Sequence, residues 1–452
     1  MLRRLLPPAG ALLVLLVLAA PACAGTRTFS YKFGPLPVGP YQAVKESTVV
    51  KTPAKTGKIV RMSARVVDSK GRVIPQSEVM LHHLAFFNAG REGKRKYDNT
   101  CTHAPQRFFG TSEELRDLTL PEGYGYPSDR RDRWSTAWML MNHTHRDRKA
   151  YIRYRVTVDD APGLTQVRPY WVSVVPCGAD PQYSVRGGRA EGSTHTRRRT
   201  WKAPLDGRIV AVGGHLHGGG RGLRLYQRKC KRTLVTSKPT YGRPDDPVYQ
   251  VRPLLHEPDP LNITWWQSGT GIPVRKGEEL VVASDYDEQR PHMRVMGIGH
   301  VYIAKDSKAR GGCPALPADA QELGPDFTGR SEPPPVKLTL ARMGDDGRAH
   351  PIDRPPGKTR RFGGGTAQIK EMAYSYRPAN ISIPRGGRVR WTFHDPDDHD
   401  VTLNSGPVGF GSPWSTRGDT WTRRFNQPGL YKLFCSLHPT SMSQTVRVRE
   451  GG

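Results

Sequence analysis

The sequence has no apolar run long enough to cross a bilayer. Its longest, Ala11 to Ala20, is about half of what a spanning helix needs, which excludes a body built of membrane helices. Amphipathic helices are also missing, because no stretch keeps a helical apolar period beyond three turns. Acidic residues are scarce, with 41 Asp and Glu against 69 Lys and Arg and a formal charge of +28. The 48 Gly and 40 Pro follow no collagen period, so they read as punctuation between short strands. What is present excludes disorder over most of the chain: 36% hydrophobic residues, 9 Trp and 17 Tyr. At roughly 150 residues per domain, 452 residues predict three domains.

Cysteine is sparse too, and its six positions depend on the first segment for their meaning. Residues 1–24 carry Arg3 and Arg4, a short apolar run and small residues before a cut after Ala24, the pattern of a secretory signal. Cleavage removes those two Arg and no acid, leaving +26. Lipid attachment at Cys23 is the lesser alternative, since Ala20 stands where lipoprotein signals carry Leu. The expectation is export to the extracellular space, cell surface or periplasm. Exported thiols usually pair, yet five remain: Cys101, Cys177, Cys230, Cys313 and Cys435. If Cys435 holds a metal, the other four form two disulfides with three possible connectivities. Position along the chain favours Cys101 with Cys177 and Cys230 with Cys313, and sequence alone does not fix the choice.

Runs rich in Val, Tyr and Phe at 79–87, 137–143, 150–158, 170–175, 208–217 and 279–286 read as strands. The expected class is all-β: two tandem antiparallel, jelly-roll-like sandwiches over 25–165 and 166–312, a linker over 313–337, and a third sandwich over 338–452.

In the third sandwich, Cys435-Ser-Leu-His438 and Met442 close a strand, and His399 sits far upstream beside another. Two imidazoles, a thiolate and a weak thioether form the ligand set of a blue-copper electron-transfer site, where soft sulfur holds both copper oxidation states. The stretch resembles the plastocyanin-like cupredoxins, through Tyr376-Arg-Pro-Ala-Asn-Ile-Ser-Ile, Gly386-Gly-Arg-Val-Arg-Trp-Thr-Phe, His399-Asp-Val-Thr-Leu and Pro428-Gly-Leu-Tyr with the Cys435 loop. The resemblance implies a Greek-key sandwich that binds one type 1 copper through His399, Cys435, His438 and Met442, and transfers one electron at a time.

The body carries more histidine. His215 and His217 are i and i+2 of a strand and therefore share a face, with Gly218 to Gly220 leaving the approach uncrowded. His82 and His83 are strand neighbours that point apart, so they can share an ion only across a bulge or a strand end. His143 and His145 are candidates for a third ligand. The order of LHHLAFF, LMNH, GHLHGGG and VMGIGHVYI resembles the copper type II, ascorbate-dependent monooxygenases, the family of peptidylglycine α-hydroxylating and dopamine β-monooxygenases. That resemblance implies one copper on His82, His83 and His143, which stores an electron. It implies a second on His215, His217 and Met296, where dioxygen is used and a substrate C–H bond is broken. Met293 competes with Met296. The Arg expected two residues before His-x-His is Gly213, and the Tyr expected after the Met ligand is His300, so a peptide-amidating role is in doubt.

The expectation is thus an exported multi-copper oxidoreductase, a monooxygenase whose cupredoxin supplies electrons. Its substrate is a small molecule or peptide, and its reductant is ascorbate or a redox partner. The alternative is a non-catalytic copper-binding or electron-transfer protein. The basic residues are diffuse and no nucleic-acid motif accompanies them; they suit at most an anionic cell-surface polymer.

Overall fold

The computed structural model describes residues 25–90, 105–176, 181–309, 311–334 and 336–450. The expected secretory signal with Cys23, and Cys101 and Cys177 with their expected bond, lie outside the described residues. The six runs named above are all strands: Val79–Asn88, Trp134–Asn142, Arg148–Asp159, Thr165–Ser173, Gly207–Leu216 and Glu279–Asp287. The architecture is all-β. Among the described residues the only helical turn is a short 3-10 segment, Pro247–Tyr249, and no helix is long and apolar enough to cross a membrane.

Arg148–Asp159 shows why these runs fold as strands. Its apolar residues Ala150, Ile152, Tyr154, Val156 and Val158 are buried while the Lys and Arg between them reach water, the period-two pattern of a half-buried strand. Such strands from Thr26–Val38, Gly57–Val67 and Tyr124–Ser128 pack on a four-stranded sheet of Ala43–Val50, Trp134–Asn142, Val79–Asn88 and Gln106–Ser112. A second pair of layers has Thr165–Ser173, Gly297–Lys305, Gly207–Leu216 and Trp265–Val274 on one side. Thr194–Lys202, Glu279–Asp287, Gly220–Gln227 and Arg232–Ser237 lie on the other. The two units share a layer, because Thr165 and Gln166 pair in parallel with Tyr124 and Gly125 and fuse their sheets into a ten-stranded one.

Part of the expected linker is also structured. Gln321–Leu323 adds an edge strand to that long sheet, its Leu323 opposite Trp265, because the exposed rim of Trp265–Val274 offers unpaired backbone groups. The third sandwich stacks a five-stranded sheet containing Asn380–Pro384, Ser443–Arg449, Gly429–Phe434 and Thr402–Ser405 on a four-stranded one containing Thr366–Glu371 and Arg388–Phe393. Trp391 is fully buried between the layers and donates its indole N–H to Gln444 at 2.9 Å.

Cys230 and Cys313 are bonded, closing a sequence separation of 83 residues. Replacing both with Ala is expected to cost about 2–4 kcal/mol, mainly by freeing the unfolded chain. Thermal unfolding with and without reductant measures the loss, and an unchanged Tm would contradict it.

Candidate metal centre

The third sandwich is the simpler site. His399, Cys435 and Met442 are fully buried, and His438 closes the group from a partly exposed turn. Donor atoms of His399, Cys435 and His438 lie within 4.8 Å of one another, with Cys435 Sγ 3.6 Å from His438 Nδ1. The loop holds itself in shape: Cys435 N–H donates to Met442 O at 3.1 Å, and Met442 N–H to His438 O at 3.0 Å. Neither ring nitrogen of His399 has a hydrogen-bond partner, and Tyr374 packs edge-on against both His399 and His438. Burial, with His399 close by, lowers His438 to about 4, so its imidazole is neutral and free to donate a lone pair. Burial and the Asp400 charge raise the Cys435 thiol; a soft cation is what displaces its proton. The donor set therefore fits copper.

In the body, the pairing of Val79–Asn88 with Trp134–Asn142 slips between Leu81 and His83, which is the bulge that two adjacent histidines require. Their rings come to 4.2 Å. His215 and His217 lie 5.0 Å apart, ring to ring, and His83 Nε2 approaches His217 Nε2 to 3.0 Å. Donor atoms of His82, His83 and His217 form one compact group.

This grouping differs from the two expected sets, which it crosses. His83 lines a cavity of 570 Å³ with His215, Met296 and His300, among Trp138, Trp171 and Ile298. His82 and His217 line another, of 330 Å³, with His256, Met293 and Arg294. Two local facts cause the crossing. Adjacent strand residues still open toward different sides, and Gly207–Leu216 ends before His217, so the same-face rule no longer binds it to His215. His143 stays close enough to feel the charges of His256, Glu113 and His82, but among the described residues it joins no cluster of donor atoms and its buried Nε2 has no hydrogen-bond partner. His145 sits apart, accepting a bond from Arg146 at 3.3 Å. Met296 packs with Trp171 and Ile298 beside the larger cavity.

Burial sets the charge state of these imidazoles. It holds His82 and His143 down to about 4, and His83, His217 and His300 well below their ordinary value. At neutral pH they are uncharged donors. Met296 lines the same cavity as His215 and offers a thioether of the kind that favours Cu(I), so these donors also fit copper.

Several functional neighbours escaped the sequence reading. Glu113 is fully buried, and its Oε1 accepts from His82 Nδ1 at 2.9 Å and from His256 Nε2 at 2.8 Å. Ser112 Oγ lies 3.2 Å from His215 Nδ1, with Glu114 Oε1 at 3.7 Å. The one available signal was three ionisable residues in Thr-Ser-Glu-Glu-Leu-Arg directly after a strand, too common a pattern to select.

The glycines near His215 also differ from expectation. A Cβ at Gly213 would lie 2.4 Å from the Trp265 ring, so no Arg can stand there. Arg116, from another loop, occupies the neighbourhood instead, donating to Gly214 O and, at 2.9 Å, to His300 Nδ1. Gly218 and Gly219 do not keep an approach open. They allow close packing, since a Cβ at Gly218 would meet Glu257 at 2.5 Å and one at Gly219, with φ +82°, would meet His292 at 2.2 Å.

That His292 carries a pH prediction. Burial alone would depress it, but Glu257 at 2.9 Å and Asp287 at 3.4 Å outweigh burial and Arg290, raising it to about 9. A raised value means stability that is complete below the unfolded value near 6.5 and is lost as pH climbs through 9. Urea unfolding across that range is expected to show the decline, and His292→Gln to flatten it.

The third sandwich sits against the body. Arg294 reaches across to Asp400 at 2.9 Å, and Asp400 in turn accepts from Ser436 N–H at 2.9 Å, beside Cys435. Met80, Met139 and Met141 share an apolar cluster with Leu437 and Met442. The 330 Å³ cavity is lined by Ser436 and Phe434 of the third sandwich together with His82 and His217 of the body.

The C-terminal part of the chain is similar to the cupredoxins, and its donor set is one that fits copper. An 85-residue segment is 27% identical to amicyanin-alpha of Methylorubrum extorquens, covering 18% of this chain and 71% of that protein. Among solved structures, a novel purple cupredoxin from Nitrosopumilus maritimus is 34% identical, covering 18% of this chain and 99% of its own, with a TM-score of 0.17. An oxidised amicyanin mutant is 19% identical over 18% of this chain and 81% of its own, with a TM-score of 0.18. Residues 177–306 match the family described as Stress up-regulated Nod 19.

Proposed function

We propose that the protein is an exported multi-copper oxidoreductase in which the cupredoxin-like sandwich supplies electrons to the histidine cluster of the body, where a substrate C–H bond is hydroxylated with dioxygen. The reading rests on one juxtaposition: a buried set of neutral imidazoles has an apolar-walled cavity on one side and the Cys435 loop on the other. Bound copper would supply reversible one-electron chemistry at both places. Hydroxylation with dioxygen consumes two electrons and two protons per turnover and releases water, with ascorbate or a redox partner as their source.

The chain's own residues account for the rest. Trp138, Trp171 and Ile298 exclude water and hold an apolar part of the substrate. Ser112 and Glu114 hold the His215 ring through Nδ1, fixing its orientation as carboxylate partners of metal-binding imidazoles do. Tyr286 accepts from His217 N–H at 2.8 Å and donates to Met296 O, tying the two segments together.

A second reading, electron transfer without turnover, draws on Arg116. Its guanidinium is buried and already engaged with Gly214 and His300, so it is not free to meet an acidic substrate. Copper-loaded full-length protein, ascorbate and a panel of apolar C–H substrates separate the two. Oxygen uptake matched by a hydroxylated product supports the enzyme, and its absence across the panel and with other reductants supports the second reading.

A further inference from the structure

We propose that Glu113, His256 and Asp259, with His82 Nδ1, form a second kind of metal site in the body, one that takes a divalent cation of the zinc class. The four donor atoms lie within 4.8 Å of one another. Glu113 Oε1 already stands near both imidazole nitrogens at spacings close to those of ligands sharing an ion. Ligands about 2.0–2.1 Å from zinc are separated by about 3.3 Å, and Glu113 Oε1 lies 2.9 Å from His82 Nδ1 and 2.8 Å from His256 Nε2. A cation entering between them displaces the shared protons and needs only small movements.

The independent observation is Asp259. It is fully buried, its Oδ1 accepts from Gly218 N–H at 2.8 Å, and its Oδ2 has no hydrogen-bond partner among the described residues. A buried carboxylate oxygen left without a partner is costly. The neighbouring acids have charge partners of their own: Glu257 has His292 at 2.9 Å, and Glu114 has Arg116 at 3.8 Å and accepts from Ser112 Oγ. Among the described residues no Lys or Arg forms an ion pair with Glu113 or Asp259, so two buried carboxyl groups face one spot with only imidazoles beside them. Two imidazoles and two carboxylates are a borderline-hard set that suits zinc, unlike the all-imidazole group of His82, His83 and His217. His82 stands between the two groups, its Nδ1 on the Glu113 side.

The test uses the full chain carrying His399→Ala and His217→Ala, which takes a ligand from each of the other donor groups among the described residues. After chelation and titration with Zn²⁺ alone, one equivalent is expected to remain through desalting and to raise Tm. Adding Asp259→Asn, which keeps the acceptor for Gly218, is expected to weaken zinc at least tenfold and to remove the zinc-dependent rise in Tm. His256→Gln is expected to do the same, which guards against a folding defect in either variant. No retained zinc, or zinc held equally by both variants, overturns the inference. Neither outcome bears on oxygen uptake, so the copper reading stands or falls separately.

Discussion

His215→Ala is expected to lower oxygen uptake by more than a hundredfold while the visible absorption of the Cys435 centre stays intact. His215 lines the 570 Å³ cavity with Met296, and its Nδ1 side is held by Ser112 and Glu114. Loss of an outer partner alone typically costs 10–100-fold in metal affinity or activity; loss of the ligand itself exceeds that. A hundredfold is about 2.7 kcal/mol of transition-state stabilisation. The fold is expected to survive the change, because the ring lines a cavity and the strand pairing of His215 with Ile298 is made by backbone; an unchanged far-UV spectrum checks this. Oxygen-electrode rates with metal content measured on the same sample decide the matter. Unaltered uptake would remove His215 from the chemistry and with it the cavity as the substrate site.

Cys435→Ser is expected to abolish the visible absorption altogether and to slow turnover driven by a protein reductant at least tenfold. Serine offers a hard hydroxyl where the site needs a soft thiolate, so neither the copper–sulfur colour nor the affinity survives. The effect on turnover follows from tethering: a donor fixed to the body acts at millimolar effective concentration, and one in solution does not. Direct reduction by excess ascorbate is expected to rescue the variant, because the histidine cluster of the body is untouched. The Arg294 to Asp400 pair and the shared methionine cluster hold the donor at its place, and they remain in the variant. Retained colour in Cys435→Ser would refute the assignment of the thiolate.

Much of this was legible in the chain itself. Alternating burial along Arg148–Asp159 follows from its alternating residues, and the short spacing of Cys435, His438 and Met442 brings three donors to one turn by local geometry. The Cys230–Cys313 bond, preferred from position along the chain, is present. Local order determined the first two of these because each depends on residues only a few positions apart or on the strand period, whereas the bond joins residues 83 positions apart and was a preference among three connectivities. The bulge at His82 and His83 could be required but not located, since register is set by a partner strand.

The tertiary structure alone decided what depends on distant segments meeting. It crossed the two expected histidine sets, putting His83 with His215 and His82 with His217. It replaced the absent Arg at position 213 with Arg116 and drew Glu113, His256 and Asp259 to His82. It also fused two sandwiches through one parallel pair of strands and laid the Cys435 loop against the body. Spacing in a sequence fixes which neighbours can share a face. Which faces meet is fixed by burial of whole layers, summed over the chain, and no motif carries that sum.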